Sequence, residues 1–119
     1  MCSCAALPPA VCVDQQPSAF LASLAQLAVG NWVKLYRCSG CGQLWRVDEW
    51  DKYLTQIAVK VPAIEGWESF NSKLSELALL VSSRGGTSEA QCIWVGCKRH
   101  AVKGVVYCAE HLYATGARR

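Results

Sequence analysis

Cys38 and Cys41 give the clearest chemical signal in the sequence, because they are three residues apart and lie between two apolar runs. Thiolates at this spacing converge from a tight turn onto one side of a metal ion. Gly42, directly after the second cysteine, can take the positive φ that turns backbone N–H groups toward the sulfurs. The spacing predicts half of a tetrahedral metal site, so other parts of the chain have to supply the remaining ligands.

The C-terminal part of the chain offers two further ligand pairs, Cys92 with Cys97 and Cys108 with His111. Cys108 and His111 are three residues apart and would lie on one face of the first turn of a short helix. Gly104 can turn a hairpin between the two pairs. Four protein ligands leave no position for water, which predicts a structural ion and not a catalytic one.

The six predicted ligands can be grouped in three ways. In the first, Cys38 and Cys41 join Cys108 and His111. In the second, the two C-terminal pairs form a local site, and the Cys38–Cys41 turn recruits N-terminal cysteines or stays empty. In the third, all six surround two ions. The second grouping is favoured, and one or two structural Zn²⁺ ions are expected. A Cys38–Cys41 disulfide is the less favoured alternative.

These motifs resemble known zinc modules. The Cys38–Cys41 turn resembles the knuckle of rubredoxins and zinc ribbons. The C-terminal ligands resemble a treble-clef finger, in which a knuckle and the first turn of a helix each give two ligands. Segment 35–61 is also similar in its general look to small bacterial proteins that include immunity partners of toxins. The resemblances imply bound zinc and a role in binding another protein.

Four further residues with ligand chemistry receive a different interpretation. The cysteines at positions 2, 4 and 12 match no common ligand spacing, so Cys2, Cys4 and Cys12 are interpreted as reduced or packed thiols. His100 follows Lys98 and Arg99 and is expected to face solvent in a basic turn.

Hydrophobic periodicity predicts the elements that position these ligands. Helical spacing predicts helices at 18–29 and 66–83, and strand patterns are found at 32–37, 44–47 and 53–61. The first two strands form a hairpin with the Cys38–Cys41 turn at its tip. The expected fold class is α+β, with a small antiparallel sheet of about three strands packed against two helices. A C-terminal zinc-finger-like subdomain ends in a short helix.

The expected organisation has three parts. Residues 1–16 form an irregular, proline-containing segment. Residues 17–84 form the core that carries the Cys38–Cys41 turn. Residues 85–119 form the zinc-finger-like subdomain, which begins at the flexible link Gly85-Gly86-Thr87-Ser88. The 119 residues suit one compact domain.

Charge and the N-terminal sequence bear on location and partners. The opening has no basic and long apolar pattern of a signal peptide, and the apolar run at 7–13 is too short to cross a bilayer. A cytoplasmic protein without a membrane partner is expected. Residues 84–119 carry six Lys or Arg and two Asp or Glu, whereas residues 1–83 carry six and seven. The basic C-terminal third could meet nucleic acid or an acidic protein.

The favoured function is a non-catalytic module that binds another protein. Five tryptophans and the acidic, aromatic turn at 48–51 suit an adaptor or a toxin-inhibiting immunity protein. The alternative is a nucleic-acid-binding zinc finger that uses the basic C-terminal third. No glycine-rich phosphate loop or serine elbow is present, so neither an enzyme nor a small-molecule substrate is expected. Thiol redox catalysis by Cys38 and Cys41 is disfavoured because strands flank the pair.

Overall fold

The computed structural model describes residues 4–52 and 55–118. The chain divides into two compact units, Met1–Ser72 and Lys73–Arg119. Within the two described ranges, no helix is both long enough and apolar enough to cross a bilayer.

The first unit is built on a five-stranded antiparallel sheet. The strand order is β1-β5-β4-β3-β2, and every neighbouring pair is antiparallel. The strands are β1 (Ala10–Cys12), β2 (Leu24–Val29), β3 (Val33–Cys38), β4 (Leu44–Asp48) and β5 (Ile57–Val61). A four-residue helix, α1 (Ala19–Ala22), and two 3-10 turns, Cys4–Ala6 and Val13–Gln15, lie between or before the first strands.

The second unit contains two helices and a two-stranded sheet. Its elements are α2 (Lys73–Ser83), β6 (Thr87–Gln91), β7 (His100–Val102) and α3 (Ala109–Ala114). β6 and β7 pair antiparallel. A small core of Leu80, Val102 and Leu112 holds these elements together.

The expected fold class is therefore wrong. Instead of about three strands packed against two helices, the chain has a five-stranded sheet, a two-stranded sheet and three short helices in its described part. Three segments account for the difference: β1 in the stretch predicted to be irregular, β2 in a predicted helix, and β6 in a predicted link.

The predicted helix at 18–29 becomes α1 followed by strand β2. The hydroxyl of Ser23 donates to the carbonyl of Phe20 at 2.7 Å, which satisfies a helix-end acceptor and stops the helix there. Residues 24–29 then pair along β3, with an irregularity between Gln26 and Ala28. Pairing with an open strand edge overrides the weak helical spacing of this stretch.

The predicted helix at 66–83 begins seven residues late, at Lys73. Arg46 on β4 explains the delay. Its guanidinium donates to the carbonyl oxygens of Trp67, Glu68 and Phe70 at 3.3, 3.2 and 2.8 Å. Because these carbonyls accept hydrogen bonds from Arg46, they do not accept the backbone hydrogen bonds of a helix, and segment 66–72 forms a loop on the sheet.

The predicted hairpin with Cys38 and Cys41 at its tip is confirmed. β3 and β4 pair from Val33 with Asp48 to Arg37 with Leu44. The Cys38 amide donates to the Gln43 carbonyl at 2.9 Å, and the Gly42 amide donates to the Cys38 carbonyl at 2.8 Å. Gly42 has the predicted positive φ of 79°. The third predicted strand, 53–61, is observed from residue 57, and residues 53 and 54 lie outside the described ranges.

One face of the large sheet carries the main core of the first unit. Trp45 is fully buried there and meets the ring of Phe20 edge-on, with the centroids 5.2 Å apart. Val11, Val13 and Cys4 from the N-terminal segment belong to the same cluster. The N-terminal residues predicted to be irregular are thus part of the packed structure that supports the Cys38 turn.

Candidate metal centres

Four of the predicted ligands come together in the second unit: Cys92, Cys97, Cys108 and His111. Cys92 directly follows β6, and Cys97 ends the turn that comes next. Cys108 is the N-cap residue of α3, and His111 lies in the first turn of that helix, as the spacing predicts. The ligand atoms all lie within 4.8 Å of one another. The set is called the tetrad below.

The distances within the tetrad match those around a tetrahedral ion. The Sγ atoms of Cys97 and Cys108 are 3.9 Å apart, and His111 Nδ1 lies 3.4 Å from Cys92 Sγ and 3.3 Å from Cys108 Sγ. Zn–S bonds of about 2.3 Å and Zn–N bonds of about 2.0 Å in a tetrahedron place two sulfurs about 3.8 Å apart and sulfur and nitrogen about 3.6 Å apart. The tetrad could therefore hold a metal ion with little rearrangement.

The turn between Cys92 and Cys97 explains how a five-residue separation can serve a metal site. The Cys97 amide donates to the Trp94 carbonyl at 2.9 Å, and Gly96 has a φ of 80°. The Cys92 amide donates to the Arg99 carbonyl at 2.9 Å, which closes the base of the loop. A glycine at positive φ lets this longer loop bring both sulfurs back together.

The imidazole of His111 is held by its neighbours. The indole of Trp94 stacks on it, with ring centroids 4.5 Å apart and an interplanar angle of 9°. Glu110, the preceding residue, forms ion pairs with Arg99 and Lys73. These contacts orient the first turn of α3 and direct Nδ1 of His111 to the sulfurs. Contacts of this kind, outside the ligand sphere, hold the ligands of a metal site in the correct orientation.

The surroundings of Cys92 favour its thiolate. Burial raises the pKa of this thiol, but backbone hydrogen bonds from Cys108 and Trp94, together with His111 and Cys97, outweigh burial and lower the pKa to about 6. A thiolate at neutral pH is the form that binds metal.

A second cluster lies in the first unit and consists of Cys4, Cys38 and Cys41. Their sulfurs also lie within 4.8 Å of one another. Cys38 and Cys41 are the predicted knuckle pair, whereas Cys4 was interpreted as a packed thiol. Cys4 comes from the first 3-10 turn and is only 2% exposed. The three residues are called the thiol triad below.

One feature of the sequence could have pointed to Cys4. The Cys38–Cys41 knuckle supplies only two ligands, so a metal site there needs further ligands from other parts of the chain. Its position depends on packing that spacing does not reveal. The indole N–H of Trp45 donates to Cys4 Sγ at 3.4 Å, across 41 residues of chain. Burial raises the pKa of Cys4 to about 12, and Cys38 and Cys41 add to that rise, whereas the bond from Trp45 lowers it.

Two other candidate residues, Cys12 and His100, belong to neither cluster. Cys12 is buried in β1 and belongs to neither cluster. His100 is exposed on β7, and its Nδ1 lies 3.0 Å from the Ser88 carbonyl oxygen. Cys2 lies outside the described residues. No disulfide links the cysteines within 4–52 and 55–118.

The two clusters correspond to the second of the three groupings considered from the sequence, with the N-terminal partner of the knuckle being Cys4. Both sets of residues could hold metal ions. Comparisons with known protein families, with curated proteins and with solved structures find no match to this chain. The function is therefore inferred from the chemistry of the two clusters.

Proposed function

We infer that the chain is a non-catalytic zinc-binding module that presents a surface to another protein. The observation that carries the metal part is the tetrad, where three sulfurs and one imidazole nitrogen lie at tetrahedral spacing. Cys₃His sets are characteristic of structural Zn²⁺. Four protein ligands close the coordination sphere, which favours a stabilising ion over a hydrolytic one.

The small size of the second unit supports a structural role for this ion. Its core cluster contains three buried apolar side chains, Leu80, Val102 and Leu112. Units of this size usually need a metal, disulfides or a partner to be stable. A zinc ion at the tetrad would join the turn after β6 to the start of α3 and add the missing stabilisation.

A surface on the first unit supports protein binding. Val29, Trp32 and Trp50 are 60%, 70% and 73% exposed. The Glu49 amide donates to the Trp32 carbonyl at 2.9 Å, so the turn after β4 lies beside the turn between β2 and β3. Exposed tryptophans on neighbouring turns are typical anchors of interfaces. Glu49 adds negative charge, which favours a basic partner, as a toxin-inhibiting immunity protein or an adaptor would require.

The nucleic-acid alternative has weaker support. Arg99 is the centre of the basic turn, and it forms an ion pair with Glu110. Lys73 also pairs with Glu110. Paired cations contribute less to phosphate binding than unpaired ones do. Trp94, whose indole could otherwise stack on a base, already stacks on His111.

Metal analysis tests the first part of this proposal. Protein purified without added zinc should contain zinc, and native mass spectrometry should show that Cys108→Ser loses one ion. His100→Ala, a change of an exposed histidine in the same unit, should keep it. A chain that folds without metal, and whose amide spectrum for residues 73–118 ignores chelators, would contradict the zinc module.

Crosslinking capture from the source cells tests the second part. A partner should be retained by the wild type and by Leu74→Ser, which changes an 83% exposed side chain on α2. It should be lost from the double variant Trp32→Ser, Trp50→Ser. Equal capture by the double variant would reject this surface. Gel shifts with DNA and RNA at low and moderate salt would, if binding is salt-sensitive, favour the nucleic-acid alternative instead.

A further inference from the structure

The thiol triad differs from the tetrad in its ligand count and in its access to solvent. Three sulfurs converge, and among the described residues no fourth ligand joins them. Cys4 and Cys38 are buried, whereas Cys41 is exposed. A metal ion among the three sulfurs would be enclosed on the side of Cys4 and Cys38 and accessible on the side of Cys41.

We propose that Cys4, Cys38 and Cys41 form a second, open zinc site that accepts a small thiol as its fourth ligand. The proposal is independent of the ion at the tetrad. Three protein ligands and one exchangeable position are a known arrangement of Zn²⁺. An all-sulfur set selects soft, thiophilic ions such as zinc.

The site is supported from within the core. The indole N–H of Trp45 points at Cys4 Sγ at 3.4 Å, and a donor to a ligating sulfur stabilises its negative charge. Trp45 is itself fixed by complete burial and by the ring of Phe20. At the other side, the Gly42 amide donates to the Cys38 carbonyl and holds the turn. The three sulfurs thus come from rigid parts of the first unit.

A groove beside the thiol triad indicates which kind of ligand could reach the fourth coordination position of the ion. The groove measures about 490 Å³ and includes Cys4 and Cys41 in its wall. The remaining wall residues are Ala5, Gly42, Gln43, Leu44, Val61 and Pro62. A groove of this size admits a small organic molecule, and the side chains of Ala5, Leu44, Val61 and Pro62 in its wall suit a short carbon stem.

The residues that line the groove do not favour a zinc site that activates water. No histidine, aspartate or glutamate is among the described residues that line the groove. The side-chain amide of Gln43 donates a hydrogen bond to the Leu44 carbonyl at 2.9 Å. A hydrolytic zinc site needs a general base near the metal-bound water. A soft donor from outside therefore fits better: the thiol releases its proton to solvent, and its sulfur replaces the bound water on zinc.

The stoichiometry of bound metal tests the site itself. Wild type loaded with excess Zn²⁺ and then desalted should carry two ions per chain by native mass spectrometry. Cys41→Ser, which changes an exposed side chain, should carry one, and Ser39→Ala in the same turn should carry two. One ion in the wild type, or two in Cys41→Ser, would overturn the site. One ion retained by Cys41→Ser would show that the tetrad binds metal independently of the thiol triad.

The open position is tested with Co²⁺ in place of Zn²⁺ and with 2-mercaptoethanol as the probe. The thiol should change the visible absorption of one of the two cobalt ions in the wild type. Ethylene glycol, which has a hydroxyl in place of the thiol, should change nothing. The response should be absent from Cys41→Ser.

Three results would overturn the open position. One is no response to the thiol in either the wild type or Cys2→Ser. Another is a response that persists in Cys41→Ser, because it would then arise at the tetrad. The third is a response that is found in Cys2→Ser and is missing from the wild type, because Cys2 would then be the fourth ligand.

Discussion

His111 enters the tetrad through Nδ1, which lies 3.3 and 3.4 Å from two cysteine sulfurs. Its ring plane is set by the stacked indole of Trp94. The choice of nitrogen follows from the position of His111 in the first turn of α3, where the side chain reaches back toward Cys108 at the N-cap. At the scale of the single residue, the helix start determines both the ligand atom and its direction.

Replacement of this histidine gives the first prediction. His111→Ala should lower zinc affinity of the tetrad by more than about 100-fold, because even changes outside the ligand sphere commonly cost about 10–100-fold. His111→Cys should retain zinc, since a fourth thiolate can complete a tetrahedral site. Competition with a chromophoric chelator measures both affinities. His100→Ala serves as the control, and an unchanged affinity in His111→Ala would remove this residue from the site.

Arg46 shows how one side chain decides the structure of a whole segment. Its guanidinium donates to three carbonyl oxygens and, at 2.6 Å, to the hydroxyl of Ser72. A planar fork with several N–H groups can reach several acceptors at once, whereas a lysine ammonium is a point charge. This explains why segment 66–72 is not helical.

The second prediction follows from that geometry. Arg46→Lys should reduce the unfolding free energy of the first unit by about 1–3 kcal/mol, since hydrogen bonds to charged groups contribute about that much each and the lysine keeps part of them. Urea unfolding followed by the NMR signals of β3 to β5 provides the measurement. Arg37→Lys, at an exposed position of β3, should change it by less than about 0.5 kcal/mol. Equal effects of the two changes would contradict the assigned role.

At the scale of elements, the turn between β2 and β3 carries backbone strain. Trp32 has a φ of 64°, and it is alone among the described non-glycine residues in having a positive φ. Bulky residues are disfavoured in this conformation by about 1 kcal/mol or more. The same residue is 70% exposed, so burial in this chain does not compensate for the strain. Strain at an exposed aromatic residue agrees with a role in binding a partner.

Relief of that strain is the third prediction. Trp32→Asn should raise the unfolding free energy of the first unit by up to about 1 kcal/mol, because asparagine tolerates a positive φ. Trp50→Asn is the matched control, since Trp50 is equally exposed and has no positive φ. Urea midpoints of the two variants should differ by this amount. A loss of stability in Trp32→Asn beyond that of Trp50→Asn would show that the indole contributes to folding.

At the scale of the whole molecule, the two units differ in what stabilises them. The first unit has a five-stranded sheet with a core cluster around Trp45, and Leu35 and Ile57 are also buried in it. The second has two short strands, two helices and a small core. Burial of apolar area scales with core size, so we expect the second unit to depend more on a metal ion held by the tetrad.

The fourth prediction separates the units by metal removal. A strong chelator should abolish hydrogen-exchange protection in α3 and in the β6–β7 pair, because the tetrad joins these elements. Protection in β3, β4 and β5 should persist, since the sheet and its core remain. Addition of Zn²⁺ should restore the lost protection. Equal loss in both units, or loss in neither, would contradict this division.

The local ligand geometry could be predicted from the sequence. The β3–β4 hairpin, the positive φ of Gly42 and the placement of Cys108 and His111 at the start of α3 depend on residues close in the chain. Backbone sterics, glycine and helical spacing are local effects, and they are encoded where they act. The four C-terminal residues that the structure brings together were accordingly predicted along with the element that positions two of them.

Only the tertiary structure decided the rest. β1, β2 and β6 carry weak local patterns and become strands because neighbouring strands offer unpaired backbone groups. The late start of α2 depends on Arg46, which precedes by 21 to 24 residues the carbonyls that it binds. Cys4 reaches the knuckle because the N-terminal segment packs on Trp45. Contacts between distant segments gain their free energy from burial and pairing in three dimensions, so residue spacing along the chain carries no record of them.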